Sequence, residues 1–337
     1  MNATFRVQNP AYSLLLQFCS VSAYLVGRCQ VKLLKRSIVE PEMSVWRTLE
    51  RDEPIGVVAL SGPVDPDRLA AGLKALQSWG NPIELASNLR AQKSYLAGSD
   101  ESRLNGLNEL LDLGVRTFIA ARGGFGVTRL MEHVPWTRMA SSGVQFIGFS
   151  DLTALLNPLS TSVVQVHGPM VAAGLEHRAN EERLRDLLLG RLIGECLFPI
   201  PADKVLRHGK AEGVVMGGNL SLLSTLIGTQ WEPDFSDRIL FLEEVSEPSY
   251  RLDRLLTHLR SSASFSGVKA LIGGTLHACR PHSECVERWS ELLLEAAPEG
   301  VPVICGLPFG HGMKNMAFPV GATVEIDTRR AAVSWSV

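Results

Sequence analysis

No part of this chain is apolar for long enough to cross a bilayer as a helix. Residues 13–27 are apolar overall, but Gln17, Ser20 and Ser22 interrupt them and they fall short of the roughly 20 residues a span requires. An export signal is also poorly marked: Arg6 alone precedes the stretch, the basic cluster Lys32, Lys35 and Arg36 follows it, and no small-residue cleavage site comes after. The reading preferred for residues 1–53 is an extension, unstructured or a start-site artefact, with Met43 as the true start. Concentrated basic charge is missing too. Lys and Arg number 33 against 35 Asp and Glu, mixed along the sequence, so no stripe exists to track a nucleic-acid backbone. Cysteine is scarce and scattered: six residues, without the density of a disulfide scaffold, which fits a reducing compartment. No Gly-Lys-Ser/Thr occurs, and the glycines at 123, 124 and 126 match neither a P-loop nor the dinucleotide fingerprint. Internal repeats and low-complexity tracts are absent.

What remains is the composition of a soluble globular protein, 45% hydrophobic and 20% charged, in 337 residues that suffice for two domains. Regular patterning begins at Pro54. The run Ile55 to Leu60 stops at Ser61-Gly62-Pro63, a strand leading into a loop. Leu69, Leu73 and Leu76 then recur at helical spacing up to Gly80, and Leu104, Leu107 and Leu111 repeat the pattern before Gly114. Residues 117–121 and 145–147 are further short apolar strands, each entering a glycine-containing loop. Strands alternating with helices predict an α/β fold with a parallel sheet covered on both faces. Residues 54–173 form this first domain. Residues 174–209, with a charged helix over 176–191 and the extended Phe198 to Pro201, read as a linker. Over 210–337 strands outnumber helices, giving a β-rich α/β domain.

The chemistry lies where strands end. In Gly148-Phe149-Ser150-Asp151 an apolar strand turns at once into a helical pattern. A sharp strand-to-helix turn exposes a serine hydroxyl and frees the next backbone N–H to bind an oxyanion. A second glycine two residues after the serine is usual in such elbows; Leu152 stands there instead. The same serine also suits a helix N-cap, and this segment alone leaves both roles open. Ala121-Arg122-Gly123-Gly124-Phe125-Gly126, directly after another strand, can bring backbone N–H groups to the same sheet edge.

A nucleophilic serine needs a base, and the base an orienting carboxylate. Of eight histidines, His311 sits in a glycine-flanked loop after the strand 303–305, and His167 follows a strand in Val166-His167-Gly168-Pro169. The expectation for His167 is a histidine satisfied by local hydrogen bonds. Glu243 ends the very apolar run 239–242, where a carboxylate must be paired, either with a histidine or with Arg251 or Arg254. Glu244 is expected on the opposite, solvent-facing side of the strand. A rival constellation, His277, Cys279, His282 and Cys285, raises a zinc site, although its spacing is not a common finger or ribbon pattern.

Taken in order, Ser61-Gly62-Pro63, Leu96 to Asp100 with Arg103, Ala121 to Gly126, Gly148 to Asp151 and His167 to Pro169 open a recognisable series. It continues through Gly217-Gly218-Asn219-Leu220, Gly228-Thr229, Leu240 to Glu243, Leu252-Asp253-Arg254 and Gly310-His311. Together these resemble the LD-carboxypeptidase family of serine peptidases, which includes murein tetrapeptide carboxypeptidases and microcin C self-immunity proteins. The resemblance spans about residues 54–327. It implies a Ser–Glu–His triad of Ser150, Glu243 and His311, with oxyanion donors at Gly123, Gly124 and Asp151. It also implies an active site at the junction of the two domains, no cofactor or metal, a cytoplasmic homodimer, and release of terminal D-alanine from murein tetrapeptide in peptidoglycan recycling. No nucleic-acid or membrane partner is expected. An aminoacyl or peptidyl nucleotide is the alternative substrate, and a non-catalytic small-anion-binding protein the alternative class. Three positions depart from the family's habit: Glu244 where Asp is common, and Phe125 and Phe149 where Tyr is common.

Overall fold

In the computed structural model residues 44–335 are described, and they build two sheets. The first takes five parallel strands in succession: β1 (Ile55–Val58), β2 (Ile83–Leu85), β3 (Thr117–Ala120), β4 (Gln145–Gly148) and β5 (Gln165–His167). Helices α1 (Pro66–Gln77), α2 (Asp100–Asp112), α3 (Trp136–Ser141) and α4 (Thr153–Leu159) follow β1, β2, β3 and β4 respectively. The sequence signals explain their ends. Asp65 caps α1 by accepting from the backbone of Asp67 and Arg68, Ser99 caps α2, and Gly80 and Gly114 take the positive φ that stops each helix.

The spatial order β2-β1-β3-β4-β5 reverses direction between β1 and β3. In doubly wound sheets the crevice beyond the carboxyl ends at such a point receives ligands. Both loops that flank it here, Ser61–Gly62 after β1 and 122–126 after β3, were singled out in the sequence.

After α5 (Arg178–Leu188) the second sheet collects β6 (Cys196–Pro199), β7 (Val205–Arg207), β8 (Lys210–Asn219), β9 (Arg238–Val245), β10 (Ala270–His277) and β11 (Val303–Cys305). Helices α6 (Leu220–Leu226), α7 (Ser249–Leu259) and α8 (His282–Ala296) link its parallel centre, β8 to β11. The chain then sends β12 (Phe318–Val320) back to the first sheet, antiparallel to β5, before β13 (Thr323–Asp327) and β14 (Ala332–Trp335) complete the second.

Three expected boundaries therefore shift. The 174–209 segment is no bare linker, since β6 and β7 form both edges of the second sheet. The region after 210 lends a strand to the first sheet. Of the expected extension, residues 1–43 lie outside the described residues, whereas 44–53 belong to the fold: Val45 bridges Val163, and the buried Leu49 donates its N–H to Leu188. Arg47 reaches Glu53 and Thr117 in the same segment.

The sheets meet through α4 and β8. Asn157 brackets Gly217, donating to its carbonyl at 3.0 Å and accepting from its N–H at 2.9 Å, while the N–H of Asn219 donates to Thr153 at 3.0 Å. Beside them an aromatic cluster crosses the junction. His167 stacks on Phe318, Phe318 on Phe241, and Phe309 meets Phe318 edge-on.

Candidate active site

β4 ends at Gly148, and the chain turns so sharply that Ser150 takes φ +62°. A non-glycine residue in that region costs of order 1–2 kcal/mol, and such strain concentrates at functional positions. The turn is that of a nucleophile elbow, and a short 3₁₀ turn from Ser150 to Leu152 leads straight into α4. Ser150 is not at a cap position here: Phe149 caps the 3₁₀ turn and Leu152 the helix, while Ser150 Oγ bonds His311.

The hydroxyl instead meets His311, whose Nε2 lies 3.0 Å from Ser150 Oγ and whose Nδ1 lies 2.6 Å from Glu243 Oε2. Ser150 comes from the first sheet, Glu243 from β9 near its end, and His311 from the loop after β11. Glu243 is fully buried, and neither Arg251 nor Arg254 pairs with it: Arg251 bonds Glu247, and Arg254 lies over the ring of Tyr250. Burial alone would lower the pKa of His311. The charge of Glu243 and the hydrogen bond to it outweigh that and hold the imidazole above its ordinary value. Phe149 packs edge-on against the His311 ring at 4.9 Å.

The glycine loop after β3 closes the other side. A Cβ on Gly123 would lie 3.0 Å from Ser150 Cβ and 3.1 Å from its Oγ, so any side chain here would crowd the hydroxyl. Among the described residues no acceptor meets the N–H of Gly123 or Gly124. Gly123 and Gly124 border a cleft of about 350 Å³ that also holds Ser150, His311, Asp65, Arg68 and Arg122. The parts suit acyl transfer: a hydroxyl on a base, a base on a buried carboxylate, and backbone donors beside the reacting atom.

Other expectations resolve differently. His167 is fully buried among Phe149, Phe309 and Phe318, with neither ring nitrogen hydrogen-bonded, so the expected local hydrogen bonds are not made. Burial pushes its pKa down to about 4 and keeps it neutral. Glu244 does not face solvent. It is 2% exposed and accepts from Asn219 Nδ2, Ser221 N and Val245 N at 2.7–2.8 Å, tying the start of α6 to β9. The side chains of 277–285 do not converge: among the described residues no three His, Cys, Asp or Glu gather as a metal site. Two groups carried no role in the sequence. Arg103 and the side chain of Asp151 are both fully buried beside the glycine loop. Among the described residues no helix is long and apolar enough to cross a membrane.

A two-domain α/β frame with a serine elbow facing a His–Glu pair is the layout of a hydrolase. Residues 55–168 match the LD-carboxypeptidase N-terminal domain, and residues 212–326 match the LD-carboxypeptidase C-terminal domain. The chain belongs to the LD-carboxypeptidase family. It is 32% identical over 297 residues to the probable murein peptide carboxypeptidase of Bacillus subtilis (strain 168), covering 84% of this chain and 91% of that protein. With the murein tetrapeptide carboxypeptidase of Pseudomonas aeruginosa it shares 33% over 298 residues, covering 85% and 96% respectively. The fold aligns with the solved structure of MccF in complex with glutamyl sulfamoyl guanosine at a TM-score of 0.79 and 21% identity, covering 87% of this chain and 98% of that one.

Proposed function

We propose that this protein is a serine-type LD-carboxypeptidase that hydrolyses the terminal L–D peptide bond of murein tetrapeptide and releases D-alanine. The observation that carries it is the continuous relay from Ser150 Oγ through His311 to buried Glu243, opening on the glycine loop. The names of the relatives support the substrate, and the cationic Arg68 and Arg122 on the cleft suit the free carboxylate of a terminal residue. Among the described residues all four cysteines are unpaired, three of them buried, which suits the reducing cytoplasm where such peptides would be recycled.

Each proton has a carrier. His311 Nε2 takes the Ser150 proton as Oγ bonds to the scissile carbonyl carbon. The carbonyl oxygen becomes an oxyanion held by the N–H groups of Gly123, Gly124 and Asp151. Collapse breaks the C–N bond, and His311 returns its proton to the departing amine of D-alanine. Water, deprotonated by the same nitrogen, then displaces Ser150 from the acyl-enzyme. Glu243 fixes the tautomer with Nδ1 protonated and stabilises the imidazolium between steps.

Incubation with murein tetrapeptide, with free D-alanine measured by a coupled oxidase, tests the proposal. Wild-type protein is expected to release D-alanine and Ser150→Ala none above background. Release at the wild-type rate by Ser150→Ala would remove the serine from the mechanism. Cleavage of an aminoacyl sulfamoyl nucleotide in preference to the tetrapeptide would reassign the substrate.

A further inference from the structure

Asp151 enters the mechanism only through its N–H, yet its buried side chain bonds two other loops through Oδ2, while Oδ1 has no partner among the described residues. It is fully buried, and its Oδ2 accepts from Ser61 Oγ at 2.6 Å and from the backbone N–H of Val127 at 2.9 Å. Ser61, also fully buried, follows β1, and Val127 follows the glycine loop. One carboxylate oxygen thus joins the loops after β1 and β3 to the elbow after β4.

Arg103 completes the arrangement from α2. Fully buried, it donates from Nη1 to the carbonyls of Leu60 and, at 2.9 Å, of Gly126, while Nη2 pairs with Asp100 at 2.5 Å. Each carbonyl partner sits next to a residue bonded by Asp151: Leu60 precedes Ser61, and Gly126 precedes Val127. Between the loops, Gly62 N–H donates to Gly123 O at 3.1 Å. The glycine loop is therefore held at its carbonyl side by Arg103, at its N–H side by Asp151 and in the middle by Gly62. Gly123 and Gly124, whose N–H groups have no acceptor among the described residues, line the same cleft as Ser150.

The geometry points to Asp151, Ser61 and Arg103 as positioning residues, a buried clamp that sets the distance between the oxyanion donors and the Ser150 hydroxyl. The clamp rests on the reading of Ser150 as nucleophile. Two features favour a catalytic purpose over simple cohesion. First, Asp151 is the residue after the serine, so a shift of its carboxylate moves nucleophile and donor loop relative to each other. Second, burial raises the pKa of this carboxyl, against the hydrogen bonds from Ser61 and Val127 and the charge of Arg103. An apolar contact between the loops would hold them without that penalty, but without fixing their spacing through directed bonds. Misplacing a catalytic group by about 1 Å costs on the order of 100-fold in rate.

The mildest perturbation is Ser61→Ala, which removes one strut and touches neither Ser150 nor the cleft lining; Ser61→Thr keeps the hydroxyl. Two readouts separate positioning from cohesion. Turnover of tetrapeptide by Ser61→Ala is expected to fall about 10- to 100-fold in kcat, with KM within about twofold, and Ser61→Thr to recover most of the loss. Ser150 labelling by a fluorophosphonate is expected to slow by the same factor. In that reaction the Oγ–P bond forms, fluoride leaves and His311 takes the proton, so it uses the oxyanion donors but not the murein substrate. If Ser61→Ala melts at lower temperature yet labels and turns over like wild type at 25 °C, the clamp is merely structural and the inference fails. If wild type labels at Ser150 but releases no D-alanine, the substrate proposal falls, and slower labelling of Ser61→Ala still upholds the clamp. Should wild type not label at all, both fall.

Discussion

His167 offers the most direct quantitative test of the electrostatics at the junction. Its imidazole is stacked on Phe318 and flanked by Phe149 and Phe309, and its pKa is driven by burial from 6.5 down to about 4. The charge of Glu243 pulls the other way but does not compensate. Because the folded pKa lies below the unfolded one, the unfolded chain binds the proton more readily between these values. Stability is then full above about pH 6.5 and drains away as the pH falls toward 4. At ~1.4 kcal/mol per pH unit of separation, with half-protonation of the folded state at the lower value allowed for, the loss at pH 4 is about 3 kcal/mol, roughly half of it by pH 5.5. His167→Phe keeps an aromatic ring against Phe318 and removes the titration. Urea unfolding of both proteins at pH 7.5, 5.5 and 4 isolates the residue, since carboxylate contributions are common to the two. The wild type is expected to lose about 3 kcal/mol more than the variant between the extremes. Parallel pH curves would refute the account and return His167 to the role of a satisfied core histidine.

Three further outcomes follow from the relay. Glu243→Gln is expected to reduce kcat/KM by about 10³- to 10⁴-fold, because the amide no longer enforces the Nδ1–H tautomer. The base works when neutral, so the wild-type rate climbs with pH through the raised His311 pKa, and stopped-time assays should place the residual acid limb of the variant at lower pH. Gly310→Ala has no room: its Cβ would lie 2.7 Å from Glu243 Oε2 at φ +105°, so a loss of at least about 100-fold in kcat is expected from displacing the pair. Finally, Ser150→Gly and Ser150→Ala should both be inactive, but the glycine variant, free of the cost at φ +62°, should be about 1 kcal/mol more stable by denaturant titration. Equal stabilities would show that the elbow stores no strain.

Much of the site could be read before any coordinates because its parts stand at the carboxyl ends of short apolar strands, where composition changes abruptly. Ser150, the 122–126 loop and Glu243 each follow a run that is fully buried in the structure. What failed were inferences needing tertiary context. The alternation rule sent Glu244 to solvent, but β9 lies in the parallel centre of a mixed sheet, where Glu243 and Glu244 are both buried. The three-residue β12 contains Pro319 and adds to an edge, so its return to the first sheet left no pattern to find. The clamp was invisible for another reason. Asp151 and Ser61 are 90 residues apart and joined only by the doubly wound topology, and no periodicity records a bond between loops.

That topology also explains why the relay tolerates being assembled from two sheets. Ser150 belongs to one and Glu243 to the other, so their spacing depends on how the sheets dock. The contacts that fix the docking are directional: the paired Asn157–Gly217 hydrogen bonds, the Thr153–Asn219 bond, and the stack of His167, Phe318 and Phe241. Thr153 and Asn157 lie on α4, the helix that starts immediately after the elbow, while Asn219 pairs in register with Glu243 across β8 and β9. The same short helix thus begins beside Ser150 and grips the strand adjoining Glu243. Placing the junction there leaves about one turn of helix and one strand spacing between Ser150 and Glu243, whose hydrogen bonds to His311 are 3.0 Å and 2.6 Å.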